Sequence, residues 1–226
     1  MLPQAEDRIA ATLPDDALVL QVGATGAAFE RADWVLDDRP HEPYGGARFT
    51  PRTWLQRDVA GREPWPFPDG RFDFAVCTSL ATLRDPVGVC AELARVARGG
   101  YVELPSVEAE LAGGDARWLC DVADAELVFT AKPRAAYTDR RLKVSGARLE
   151  ELREEERVLA LFWESRLPAR ERFVDADDLA DELAERVCAR FEPSGAEVAL
   201  SEARRIGEMA GAAALRRITD LRGGGR

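Results

Sequence analysis

Three carboxylates stand at the ends of short apolar segments: Asp37 after Ala32–Leu36, Asp58 closing Trp54–Asp58, and Glu103 within Tyr101–Leu104. A carboxylate in such a place can accept hydrogen bonds from hydroxyl groups or take a proton from a nucleophile. Gly23-Ala24-Thr25-Gly26 follows the apolar run Ala17–Val22, and Thr78-Ser79 closes another at Phe72–Thr78. Glycine at such a turn lets backbone N–H groups come close to a ligand, because it has no Cβ. Other chemistry is excluded by what the chain lacks. His41 is the single histidine, so no His pair can hold a metal, and a Ser-His triad would have to run through His41 alone. Cys77, Cys90, Cys120 and Cys188 are far apart and form no C-x-x-C, so neither a zinc site nor a disulfide framework is expected, and no metal is assigned.

The elements that position these residues follow from pattern. Residues 5–12 can form a short leading helix. Ala17–Val22 (ALVLQV) has the length and apolarity of a buried parallel strand, and Ala32–Leu36 makes a second. Three prolines and a Gly-Gly pair between Arg39 and Arg52 predict a loop. Trp54–Asp58 reads as an edge-like strand. Pro64, Pro66 and Pro68 then enforce an extended path into the turn Pro68-Asp69-Gly70. After the strand Phe72–Thr78, apolar positions Val87, Val89, Cys90, Leu93 and Val96 recur at helical period over Pro86–Arg98, with Asp85 as N-cap. Gly99-Gly100 is expected to stop that helix, and Tyr101–Leu104 is the next strand.

Beyond residue 106 the pattern changes. Arg117–Phe129 reads as a hairpin around Asp124-Ala125. Helices are expected over Ala147–Ser165, Asp175–Phe191 and Ser201–Leu221, the first with a Glu-rich face at Glu150–Glu156 that is read as solvated. The organisation expected is a core over residues 1–106, completed by a hairpin and helical region over 107–226.

At 226 residues, with 46% hydrophobic and 32% charged residues, the chain can bury a substantial core. No apolar run reaches the ~20 residues a membrane helix needs, and the opening MLPQAEDRIAATLPDD lacks the pattern of a leader peptide, so a cytoplasmic protein without membrane attachment is expected. The net charge of −10 repels phosphate backbones, so a nucleic-acid partner is not expected. The C-terminal helices are candidates for a homodimer contact.

The order strand, Gly turn, strand ending in acid, Pro66-Phe67-Pro68-Asp69-Gly70-x-Phe72-Asp73, helix and Gly-Gly-strand resembles the class I methyltransferases that use S-adenosylmethionine, over roughly residues 17–106. It is closest to the bacterial "methyltransferase type 11" group, one branch of which carries a G-Y-x-E-x-P-S strand followed by a Trp- and Val-rich hairpin. Here those are Gly100–Ser106 and Trp118–Phe129. The resemblance implies a Rossmann-like α/β sheet with helices on both faces. It also implies S-adenosylmethionine as cofactor and a small-molecule acceptor from specialised metabolism or glycan modification. By that resemblance Gln21, Gly23 and Gly26 line the cofactor turn and Asp37 takes the ribose. Asp58 and the Val59 backbone meet the adenine, and Thr78 lies beneath the methionine portion. Glu103 is the first choice for a base, ahead of Tyr101 and His41.

The chain departs from the family at two places. Gln21 replaces an acid, removing a charge-assisted bond worth ~1.5–3 kcal/mol, and Thr25 replaces a glycine. Thr78-Ser79-Leu80-Ala81-Thr82-Leu83 lacks the histidines and glutamate that the related branch carries. Positioning alone can supply much of the rate for an activated methyl donor. The same departures also fit a methyltransferase-fold protein turned to non-methylating chemistry such as a cyclisation, or a non-catalytic scaffold or regulatory partner.

Overall fold

Short apolar runs separated by turns build a doubly wound sheet. The computed structural model describes residues 1–23, 29–40 and 53–191. Gly26, His41 and the helix expected over Ser201–Leu221 lie outside the described residues. Helix α1 (Pro3–Thr12) precedes β1 (Val19–Val22), β2 (Trp34–Asp37), β3 (Trp54–Gln56) and β4 (Phe74–Cys77). Helix α2 (Pro86–Val96) leads into β5 (Gly99–Pro105). Then come α3 (Val107–Leu111), the hairpin β6 (Trp118–Ala123) and β7 (Glu126–Ala131), and the short helices α4 (Ala135–Thr138), α5 (Gly146–Glu151) and α6 (Glu154–Arg157). Strands β8 (Val158–Glu164) and β9 (Ala169–Arg172) and helix α7 (Ala176–Arg190) follow. The chain divides into two compact units, Met1–Leu183 and Ala184–Arg226; the described part of the second is the end of α7 and Phe191.

The main sheet has the order β3-β2-β1-β4-β5-β8. Its first five strands run parallel, in the order of a doubly wound nucleotide-binding sheet, and β8 pairs antiparallel with β5. The Rossmann-like α/β fold expected from the sequence is therefore present. The order reverses between β1 and β4, which is where such sheets open a crevice at the strand ends. A second sheet, β6-β7-β9, contains the expected hairpin. Asp124 (φ 55°) and Ala125 (φ 61°) are both left-handed, as a two-residue type I′ turn requires.

Two expectations are corrected. Ala147–Ser165 is not one helix: the helical part ends at Arg157, and Val158–Glu164 is strand β8. The Glu-rich stretch favours helix, but Val158–Trp163 is an unbroken apolar run, and with Glu164 it pairs along all seven residues of β5. Tertiary pairing overrides local periodicity there. Gly99-Gly100 does not cap α2. That helix ends at Ala97, whose N–H bonds to the Leu93 carbonyl at 3.0 Å, and both glycines belong to β5. They are needed for close approach: a Cβ on Gly100 would press into the Ala75 carbonyl and lie 2.7 Å from the Trp163 ring.

The two faces of the main sheet differ. One packs Leu20, Val22, Ala75, Cys77, Val102 and Leu104 against α2 and the hairpin. The other sets Val76 and Tyr101 beneath Ala5 and Ile9 of α1. Among the described residues, no helix is long and apolar enough to cross a membrane.

Candidate functional site

Side chains alternate between faces along a strand, so residues two apart share one. Register places Val35, Gln21, Val76, Tyr101 and Phe162 in one cross-strand row on the α1 face. Two residues onward along each parallel strand, that face carries Asp37, Gly23, Thr78 and Glu103. The Gly23 N–H still bonds the Leu36 carbonyl at 2.9 Å, extending the ladder to that point. Five of the residues singled out from sequence are thus brought to the carboxyl ends of β1, β2, β4 and β5, on one face. A cleft of about 560 Å³ runs beside them, between α1 and the segment Phe29–Arg31, with Gln21 and Thr78 in its wall. Glu6, Asp7 and Glu30 line it against one guanidinium, that of Arg31.

Asp37 is 1% exposed at the end of β2. Its Oδ1 accepts the Arg39 backbone N–H at 2.8 Å and Nε at 3.1 Å, and its Oδ2 accepts Nη2 at 3.2 Å. The neighbouring Asp38 carboxyl is held above its ordinary range, first by burial and then by the hydrogen bond and charge of Asp37. Gln21 is equally enclosed, and its Oε1 accepts the Phe29 N–H at 2.7 Å. The Gln21 side chain therefore braces the backbone at Phe29. Gly23 is obligatory on two counts. Its φ is +68°, and a Cβ would lie 3.0 Å from that of Ser79 and strike its hydroxyl.

At the other end of the row, Glu103 Oε2 accepts the Tyr101 O–H at 2.6 Å and the Leu2 N–H at 2.8 Å. Burial, followed by the bond and charge of Glu103, pushes the Tyr101 phenol well above its ordinary range. Tyr101 thus keeps its proton at neutral pH and acts as a donor. Its ring also packs on Phe162, centroids 4.8 Å apart.

Asp58 and Val59 lie apart from that row, beyond β3. Asp58 is exposed and pairs with Arg84 at 2.7 Å, while Val59 is buried and its carbonyl accepts the Trp65 indole N–H at 3.0 Å. Sequence reasoning missed the part played by α1. Glu6 and Asp7 supply one wall of the cleft, and Leu2 tethers the helix to Glu103. The signal was present in Ala5 and Ile9, a one-turn apolar pair that needed a face to cover. Ser79, the buried neighbour of Gly23, was likewise visible only as a loop residue.

No family model matches the sequence, and neither does any curated protein. Solved structures do match. An S-adenosylmethionine-dependent methyltransferase of Thermotoga maritima is 18% identical over 46% of this chain and 51% of its own, with a TM-score of 0.31. Another, of Mesorhizobium loti, is 15% identical over 57% and 68%, with a TM-score of 0.34. A third, of Aquifex aeolicus, is 15% identical over 70% and 88%, with a TM-score of 0.35. The chain spans about half the length of the first of these.

Proposed function

We propose that this chain is an S-adenosylmethionine-dependent methyltransferase of cytoplasmic small-molecule biosynthesis, with a specialised metabolite or a glycan precursor as acceptor. One observation carries the reading: the registers of β1, β2, β4 and β5 bring Asp37, Gly23, Thr78 and Glu103 to one face at the strand ends, and Thr78, with Gln21, lines a cleft large enough for a small ligand.

The residues fit a nucleoside cofactor. Gly23 makes room for the Ser79 side chain, where a Cβ would clash, and Asp37 offers a buried carboxylate suited to ribose hydroxyls. Ribose bonds would share that carboxylate with Arg39, which is 46% exposed and can turn toward solvent. When bound, the cofactor supplies a methyl group activated on a sulfonium. Gln21 gives no charge against the cofactor's ammonium, but Glu6, Asp7 and Glu30 make the cleft wall negative overall, which favours a cationic ligand. Glu103 is the proposed base, with Tyr101 donating to it and fixing its orientation. The chain's net charge argues against a nucleic-acid acceptor.

A second reading, a methyltransferase-fold scaffold or a non-methylating enzyme, draws on Gln21, whose amide oxygen is engaged by the Phe29 N–H. Calorimetric titration with S-adenosylmethionine and S-adenosylhomocysteine separates the two. Binding is expected, and Asp37→Ala should weaken it at least tenfold, about 1.4 kcal/mol. Absence of binding at millimolar ligand leaves only the second reading.

A further inference from the structure

A strand at the edge of a sheet exposes unpaired N–H and C=O groups, and proteins blunt such edges with shortness, charge or proline. Most edges of this chain follow that rule. Strand β3 has three residues and is followed by Arg57, β9 carries three charges in the sequence Ala-Arg-Glu-Arg, and β6 carries Asp121. Strand β8 does not. Its seven residues read Val-Leu-Ala-Leu-Phe-Trp-Glu, with no proline and no charge before Glu164.

The direction of its free groups can be worked out. The Arg157 carbonyl accepts the Ser106 N–H, and the Ser165 N–H bonds the Arg98 carbonyl, each at 2.8 Å and each toward β5. Residues 159, 161 and 163 lie in phase with these and also face β5. Pro105, which has no N–H to give, stands opposite Val158, as that phase requires. Val158, Ala160 and Phe162 therefore turn both backbone groups away from the sheet. Among the described residues, nothing bonds them.

We propose that the chain forms a two-fold dimer in which the β8 strands of two copies pair antiparallel about Leu161, joining the two main sheets. A two-fold axis necessarily sets two equivalent edges antiparallel, the better ladder, and each copy satisfies the other. Centring on Leu161, the midpoint of the strand, uses its full length and pairs outward residues only: Val158 opposite Glu164, and Ala160 opposite Phe162. The exposed Ala160 leaves room for the partner's Phe162 ring, which stays seated over Tyr101 and beneath the Arg8 guanidinium, 4.1 Å from its centroid. No charge enters the ladder between Val158 and Trp163. The residual repulsion is that of two chains of −10 each, so added salt should strengthen the dimer.

The test is sedimentation equilibrium of the full chain at tens of micromolar. Twice the 24.9 kDa chain mass is expected, with dissociation increasing as salt falls. Ala160→Pro replaces an N–H that faces outward, and Ala160→Lys places a charge on the seam; neither touches a bond to β5. Both should sediment at the chain mass with an unchanged circular dichroism spectrum. Amide exchange at Ala160 and Phe162 should be slow in the unmodified protein and fast in the Lys variant. A monomeric unmodified protein overturns the proposal, including the case where those amides are slow because residues 192–226 cover them. A dimer that survives both substitutions overturns it too, and points instead to a contact through the region beyond Asp175. None of these readouts depends on cofactor binding.

Discussion

The two faces of the main sheet carry different kinds of residue. The face against α2 and the hairpin is apolar, and all three buried cysteines, Cys77, Cys90 and Cys120, lie in it. The face under α1 holds Gln21, Asp37, Thr78, Tyr101 and Glu103, polar groups that a core would have to satisfy one by one. A buried polar group left unpaired costs about 1–3 kcal/mol, and here Gln21 is paired with the Phe29 N–H, Asp37 with Arg39, and Tyr101 and Glu103 with each other. The contrast predicts that substitutions on the apolar side change folding and leave affinity alone, whereas those on the α1 side do the reverse.

The largest effect is expected where the apolar layer is stapled. Lys132 is 3% exposed, and its Nζ donates to Glu110 Oε2 at 2.9 Å, the Glu110 carbonyl at 3.2 Å and the Gly114 carbonyl at 2.7 Å. All three ammonium protons are used, and Glu110 Oε2 also accepts the Ala116 N–H at 3.1 Å. Lys132→Met strands the Glu110 carboxylate in the interior and should cost about 3–5 kcal/mol in urea unfolding. Ligand affinity of whatever remains folded should match the unmodified protein. A loss of affinity would break the division between the faces.

Each buried thiol contributes a somewhat smaller effect. Burial, followed by the charges of Glu110 and Asp121, pushes Cys120 from an ordinary value of 9.0 up to about 12. Burial also raises Cys77 and Cys90. In the native state these thiols stay protonated while the unfolded chain begins to ionise. The unfolded state then binds fewer protons, so stability is complete below pH 9 and falls as pH rises through the window from 9 to 12 for Cys120. The slope is about 1.4 kcal/mol per pH unit for each thiol that ionises only when unfolded. Urea midpoints compared at about pH 8 and pH 10.5 should show the loss, and Cys120→Ala should lessen it. An unchanged slope in that variant would place the alkaline transition elsewhere.

How much of this was legible in the sequence depends on range. The acids at strand ends could be read locally, because an apolar run followed by Asp or Glu announces itself within six residues. The Asp124-Ala125 turn and the Asp85 cap, whose Oδ1 accepts the Gly88 N–H at 2.7 Å, were equally local. The row that gathers Asp37, Gly23, Thr78 and Glu103 was not, since it exists only once four strands are in register. Strand β8 was misread because Glu-rich helix propensity runs up to its first residue, while the pairing that decides its conformation comes from β5. The Gly99-Gly100 pair followed the same logic: a helix stop by rule, a close-packing site by contact with Trp163. The bond from Leu2 to Glu103 joins residues 101 apart, and no periodicity encodes it.

That last contact allows the smallest and most discriminating comparison, on the α1 face alone. Glu103 has two candidate duties, taking a proton from an acceptor and holding α1 over the sheet through Leu2. Glu103→Gln keeps an oxygen that can accept both the Leu2 N–H and the Tyr101 O–H but removes the charge that strengthens those bonds. The cost in stability should be about 1 kcal/mol. If Glu103 only tethers, Tyr101→Phe should lower stability by a similar amount, and kcat should be unchanged in the Gln variant. If it takes a proton, kcat should fall at constant KM, and the acid limb of the pH–rate profile should disappear in Glu103→Gln while surviving in Tyr101→Phe. Loss of that limb in both variants would mean that the phenol and the carboxylate act as one unit, with the proton held between Tyr101 and Glu103 across their 2.6 Å bond.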